Sequence, residues 1–227
     1  MNGSFLHSNK VLICSILVIL IIGSFTLLAY NNQNTALQNS VKQGLESTVS
    51  VMATQISPKD LVGLKPGDEG SEQYKAITQK LRTMRSMDDT ILNAYILKVN
   101  PDQTVTFLVD DLYPDDPLGS AKIGEVSTAP KMDILLALSG PTTSKDPYTT
   151  RYGSFMTAYA PIDDSIHDST GNTFAVLAID VPAKEYTDYT SRGGLILLSG
   201  FISMILAVGA IFWFGSKRGD EEKYSGK

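Results

Sequence analysis

One cysteine, Cys14, stands among 227 residues, so no disulfide can form within the chain. Histidine is almost as scarce: His7 and His167 are the only two, which leaves no pair in one region for a zinc site. No serine or cysteine has a histidine or other base partner that would make it a nucleophile, so the sequence makes no case for an enzyme. No cofactor is expected, and no internal repeat or low-complexity tract is present. Positive charge is thin in the middle of the chain, where residues 31–194 carry 14 basic and 21 acidic side chains. That excess of acid argues against a nucleic-acid partner and against docking on an anionic membrane surface. With 43% hydrophobic residues and a single cysteine, the composition also excludes a disordered chain, a collagen-like fibre and a disulfide scaffold.

Charge is missing altogether from two long runs, residues 11–30 and residues 195–214. About twenty apolar residues of helix cross a hydrocarbon core of roughly 30 Å. Both runs are therefore expected to be transmembrane helices. The first is longer than the apolar core of a signal peptide and no small-residue cleavage site follows it, so it reads as an uncleaved anchor. Cys14 follows the bulky Ile13 near the start of that run and does not read as a lipoprotein cysteine. Lys10, Lys217 and Arg218 lie on the outer flanks of the runs, whereas the inner flanks hold little beyond Arg192. Positive charge near span ends favours the cytoplasm. The expected layout is a cytoplasmic N-terminus (1–10), a first span (11–30), an extracytoplasmic domain (31–194), a second span (195–214) and a short cytoplasmic tail (215–227). That tail is too short for a kinase, a methyl-accepting coiled coil or a nucleotide cyclase, so any output is expected to pass through a partner. In the second span Ser199, Ser203 and Ala207 recur every four residues. Small residues at that spacing suit close packing, either on the first span near Gly23 and Ser24 or on a second copy in a homodimer.

The middle segment opens on a helical pattern. Leu37, Val41, Leu45, Val49, Met52 and Ile56 share one helical face, continuous with the first span, and Ser57–Pro58 is the expected stop. Ser71 reads as the N-cap of a second helix carrying Tyr74, Ile77, Leu81 and Met84. The period then changes. Residues 90–99 and 104–109 form an expected hairpin, with Val105, Phe107 and Val109 alternating. Residues 110–119 form a Pro-broken acidic loop, residues 128–139 a short helix, and residues 154–162 and 173–181 two further strands. Pro182 then opens an exit helix. Consecutive strands with helices grouped before them predict an α+β domain, an antiparallel sheet with its helices on one face.

The runs Pro141–Thr142, Pro147–Tyr148–Thr149, Tyr152–Gly153–Ser154–Phe155 and Tyr159–Ala160–Pro161–Ile162, then Gly171 and the strand from Ala175 to Val181 ending on Asp180–Val181, resemble the C-terminal half of a single Cache domain. The segment from Glu72 to Arg85 and the hairpin after it are similar to the second helix and first hairpin of the same domains. The resemblance covers roughly residues 35–190. It implies a PAS-like extracytoplasmic sensor of the kind found in microbial receptors. Such a domain has a long N-terminal helix, a central antiparallel sheet and a small-ligand pocket between the sheet and its overlying loops. It also implies a histidine kinase or chemoreceptor as signalling partner. The Arg, Trp and Tyr signature of amino-acid-binding double Cache domains is not evident, so an amino acid is not supported as ligand.

The pocket candidates are Tyr148, Arg151, Tyr159 and Asp180, with Tyr95 and Asp110. Arg151 suits a carboxylate through a two-pronged hydrogen bond, and tyrosines offer an apolar ring with a polar tip. Asp180 suits a ligand amine or caps the exit helix before Pro182; strand tyrosines are also common core residues. Asp110, Asp111, Asp115 and Asp116 read as a solvated acidic loop rather than a Ca²⁺ site, because no glycine turn or downstream glutamate is placed as an EF-hand needs. Asp163, Asp164 and Asp168 around His167 read as a polar hairpin turn, and no metal is expected. The function expected is that of a two-span membrane sensor binding a small molecule. The alternative is a membrane-tethered solute-binding or scaffold protein without a signalling role.

Overall fold

The computed structural model describes residues 3–162, 175–190 and 194–225. The turn expected around His167 lies outside the described residues. The chain divides into two compact units, Asn39–Tyr189 and a second made of Met1–Gln38 with Thr190–Lys227.

The second unit holds two helical stretches. Helix α1 runs from Gly3 to Thr54, so its first part belongs here, and α5 runs from Gly194 to Ser225. Both helices are apolar and long enough to cross a membrane. Leu12, Leu17, Leu20, Phe25 and Leu28 of α1 and Phe201, Ile205 and Leu206 of α5 are all more than half exposed or close to it. Hiding such a side chain from water gains about 1.5–3 kcal/mol, so each exposed apolar residue adds to what a hydrocarbon environment would gain for these helices. Between the two stretches, Gly200 sits where any Cβ would run into the Thr26 side chain. Contact between the helices therefore runs through Gly200 and Thr26. Ser199 and Ser203, expected at such a contact, are exposed and bond the carbonyls of Ile196 and Ser199 in their own helix.

In Asn39–Tyr189 the last part of α1 supplies Val49, Met52 and Ala53 to a core, with Ile56 just beyond the helix end. The helix closes on tightened turns, Gln55 N–H to Met52 O and Ile56 N–H to Ala53 O, each 3.1 Å. Ser57 is extended ahead of Pro58, as the residue before proline must be. Helix α2, Glu72–Arg85, is capped by Ser71, whose side chain accepts from Tyr74 N–H at 3.1 Å. It buries Tyr74, Ile77, Thr78 and Leu81.

The sheet follows. Strands β1 (Asn93–Val99) and β2 (Val105–Asp110) form the hairpin. After α3 (Lys131–Leu136) come two short strands, β3 (Thr142–Thr143) and β4 (Tyr148–Thr150), that sequence periodicity does not register. Then come β5 (Gly153–Pro161) and β6 (Ala175–Pro182), and α4 (Ala183–Thr190) leaves the domain. The order is β2-β1-β6-β5-β3, with β4 also paired to β5 and every pairing antiparallel. β6, buried almost throughout, lies at the centre, which is why its sequence is a nearly continuous apolar run.

The two faces of this sheet are covered differently. Ala94, Ile96, Leu177, Ile179, Ala158 and Ala160 meet α1 and α2. Tyr95, Leu97, Val176, Ala178 and Tyr159 meet Ile134 of α3 and Ala137 just after it. The helices therefore do not all lie on one face, as the order of elements suggests: the short α3 turns back over the opposite side. The polar side chains of the candidate site lie on that opposite side.

Candidate functional site

A β-bulge decides what reaches the second face. Ile96 is opposite Val109, but Leu97 is opposite Phe107, which leaves Leu108 as an extra residue in β2. Leu108 and Val109 both join the core under α1 and α2, whereas Val105 and Phe107 lie on the other face. The simple alternation of Val105, Phe107 and Val109 is therefore broken, and Asp110 emerges on the face of Phe107. Bulges re-aim side chains in this way.

Asp110 and Asp180 flank β1 from its two neighbours. Asp110 is the cross-strand partner of Tyr95, and Asp180 the partner of Asn93 two residues away on the same face. Both line one cavity with Asn93, Tyr95, Phe107 and Tyr148, which the segment Ser127–Thr128–Ala129 helps to close. Its free volume is about 20 Å³, room for about one water-sized group. Phe107 stands 5.3 Å from the Tyr95 ring and 6.2 Å, edge to face, from the Tyr152 ring, so one wall is aromatic. A larger hollow of about 640 Å³ lies against Val51, Met84, Met87 and Ile91, but it is open and mostly apolar.

The hydroxyl groups form a directed chain. Thr157 Oγ1 donates to Asp180 Oδ1 at 2.6 Å and Tyr95 OH donates to the same oxygen at 3.1 Å. Thr157 then accepts from Tyr148 OH at 2.7 Å, and Tyr148 accepts from Tyr159 OH at 3.1 Å. Asp110 accepts the backbone N–H of Leu112 and of Ala121, each at 3.0 Å. Asp180 is 4% exposed and Asp110 6%, and among the described residues neither has an ion pair. Burial pushes the Asp110 carboxyl up to about 7, against two backbone N–H donors and with help from the charge of Asp111 and Asp180. Burial pushes Asp180 up to about 6, opposed by its hydrogen bonds from Thr157, Tyr95 and Asn93. Burial likewise raises the tyrosines: Tyr148 to about 12, and Tyr95 and Tyr159 well above their ordinary range. The phenols are neutral hydrogen-bonding groups here.

The structure thus brings Tyr95, Asp110, Tyr148 and Asp180 to one cavity, with fully buried Tyr159 behind Tyr148. The Asp180 carboxylate accepts from Tyr95, Thr157 and Asn93. Arg151 does not line the cavity. Its side chain is 63% exposed, pairs with Glu125 and lies 4.6 Å above the Tyr152 ring. Tyr152 OH also bonds Glu125, which ties the β4–β5 turn to the segment covering the cavity.

The acidic loop is not uniformly solvated. Asp111 is fully buried, pairs with Arg85 and accepts Ala94 N–H at 3.2 Å, while Arg82 pairs with Asp115 at 2.7 Å. These pairs, with Tyr74 OH bonded to the backbone of Asp110, fasten α2 to the end of β2. Sequence patterning does not single out Asn93, Phe107 or Thr157 for the site, although Thr157 is a hydroxyl in an apolar strand. No group of three or more metal-binding side chains occurs among the described residues.

No family model and no curated protein matches the chain. Solved structures do resemble it. The extracellular domain of the putative histidine kinase mmHK1S-Z2 is 12% identical over 73% of this chain and 62% of its own, with a TM-score of 0.42. The sensor domain of the V. cholerae histidine kinase DctB is 9% identical over 75% of this chain and 58% of its own, with a TM-score of 0.48. The ligand-binding domain of the Campylobacter jejuni chemoreceptor Tlp3, in complex with L-norvaline, is 13% identical over 84% of this chain and 65% of its own, with a TM-score of 0.39. The chain spans about three fifths of the length of the first two of these structures.

Proposed function

We propose that this chain is a two-span membrane sensor whose domain, residues 31–194, lies outside the cytoplasm and whose termini lie inside. The domain binds a small solute by its ammonium group, about the size of the one water-sized group that the cavity beside β1 has room for. The bound state is passed to a membrane partner such as a histidine kinase or chemoreceptor, or to a second copy of the chain. Its task is binding, not catalysis.

The carrying observation is the pair Asp110 and Asp180, two nine-tenths-buried carboxylates on one aromatic-walled cavity with no cation among its lining residues. A buried carboxylate without a partner costs several kcal/mol, and an ammonium group restores the missing charge. Aromatic faces attract the same group. A ligand carboxylate would meet two acids and no base, because Arg151 is engaged with Glu125 outside. Arg151 acts here through Glu125 and Tyr152, bracing the cavity's rim. Tyr148 and Tyr159 set the direction of the hydroxyl chain toward Asp180.

Two apolar helices and the charge of Lys10, Lys217 and Arg218 support the two-span layout. Reporter fusions at each terminus test it: both are expected inside, and either one outside overturns it. A thermal-shift screen of the full chain at pH 8 tests the ligand class. Small amines are expected to raise the melting temperature, since ligand at a hundredfold excess over Kd adds about 2.7 kcal/mol. Stabilisation by dicarboxylates and not by amines overturns the cationic reading.

A further inference from the structure

We propose that Asp110 and Asp180 make this cavity a proton-binding site as well, so that protons and the cationic solute compete for it and the sensor answers to both. The competition rests on the reading of the cavity as a cation site; the proton site itself does not.

The geometry carries the proposal. Asp110 on β2 and Asp180 on β6 flank β1 on one face of the sheet, and both open on the same small cavity. Among the described residues, the other titratable side chains that line the cavity are phenols, and Arg151 and Glu125 pair with each other at its rim beside Tyr152. From β1 comes Tyr95, and from β4 and β5 come Tyr148 and Tyr159. The β4–β5 turn adds Tyr152. From α2, Tyr74 reaches only the backbone of Asp110, while Arg82 and Arg85 are taken up by Asp115 and Asp111. Asp111 itself is a third carboxylate beside the pair, and its charge further disfavours ionisation of both.

Without a cation, the proton is the smallest species that neutralises a buried carboxylate. Full protonation is resisted in turn: Thr157 and Tyr95 donate to Asp180, and two backbone N–H groups donate to Asp110, all favouring the charged form. The balance of these effects leaves Asp180 at about 6 and Asp110 at about 7. An ammonium group entering the cavity needs the carboxylates ionised, so its binding expels the protons. Below the titration of the pair, apparent affinity should rise about tenfold per pH unit for each proton released.

The test uses the full chain in lipid nanodiscs, infrared absorption of protonated carboxyl groups, and methylammonium chloride as probe. In the absence of probe, a protonated-carboxyl band is expected at pH 6 and lost by pH 8. Asp110→Asn and Asp180→Asn are each expected to diminish it. Tyr95→Phe, which removes a donor to the charged form while keeping the ring, should move the loss to higher pH. At pH 6, methylammonium should abolish the band, and its affinity should be at least tenfold weaker than at pH 8. A wild-type titration complete below pH 5 overturns the proton site. Methylammonium binding that is as tight at pH 6 as at pH 8 overturns the competition. Failure of methylammonium to bind at either pH, with the band titrating as expected, contradicts instead the cation reading on which the competition rests.

Discussion

Thr157 and Asp180 are direct cross-strand partners of β5 and β6, and the Thr157 hydroxyl donates to the buried Asp180 carboxylate at 2.6 Å. Two central strands thereby hold a charged group against the apolar interior of a sheet. Replacement of Thr157 by valine keeps the β-branched shape and removes the donor. The unmet carboxylate should cost about 1–3 kcal/mol. The hydrogen bond favours the ionised form, so the loss in melting temperature should be larger at pH 8 than at pH 5. Equal losses at both values would mean that Thr157 serves packing alone.

The stability of the unliganded protein should fall as pH rises. Asp110 at about 7 and Asp180 at about 6 both stand above the ordinary value of 3.8 that they regain on unfolding. Between these limits the native state holds more protons than the unfolded one, so unfolding becomes easier with each step toward alkali. The favourable contribution is complete below about pH 4 and is lost as pH passes through 6 and 7. Urea unfolding of the full chain in nanodiscs between pH 5 and 8 measures it. A rise in stability across that interval would show that the two carboxylates are ionised throughout.

Arg85 should matter more for stability than its partly exposed position suggests. Its partner Asp111 is fully buried and, among the described residues, has no other side-chain cation within ion-pair distance. Arg85→Ala leaves that charge unpaired, at a cost of about 3 kcal/mol. Arg85→Leu combined with Asp111→Leu removes both charges and should recover much of the loss. A single variant with wild-type denaturant midpoint would show that solvent reaches Asp111.

Much of the architecture was legible because it rests on local periodicity. Leu45, Val49 and Met52 mark one helical face, Ser71 is a cap by residue type, and the two central strands are apolar runs. Asp180 and Tyr148 were legible as pocket candidates because a carboxylate ending an apolar strand and a loop tyrosine stand out. The rest depends on pairing between distant segments. The bulge at Leu108 turns Asp110 toward the cavity, and no local pattern announces which residue a partner strand will skip. The burial of Asp111 follows from Arg85, 26 positions away in sequence, so a run of aspartates read by composition looks solvated. Strands β3 and β4 have two and three residues and exist only because β5 offers an edge. Arg151 illustrates the same difficulty, since Glu125 and Tyr152 draw its side chain outward.

The most direct measurement is calorimetric titration of the full chain in nanodiscs with methylammonium at pH 8, beside the variant Asp180→Asn. Saturable binding is expected for the native chain. It should weaken by roughly 10-fold or more in the variant, since a hydrogen bond to a charged group contributes about 1.5–3 kcal/mol. Binding of equal strength in both chains, or none in the native one, contradicts a cation held by the buried carboxylates beside β1.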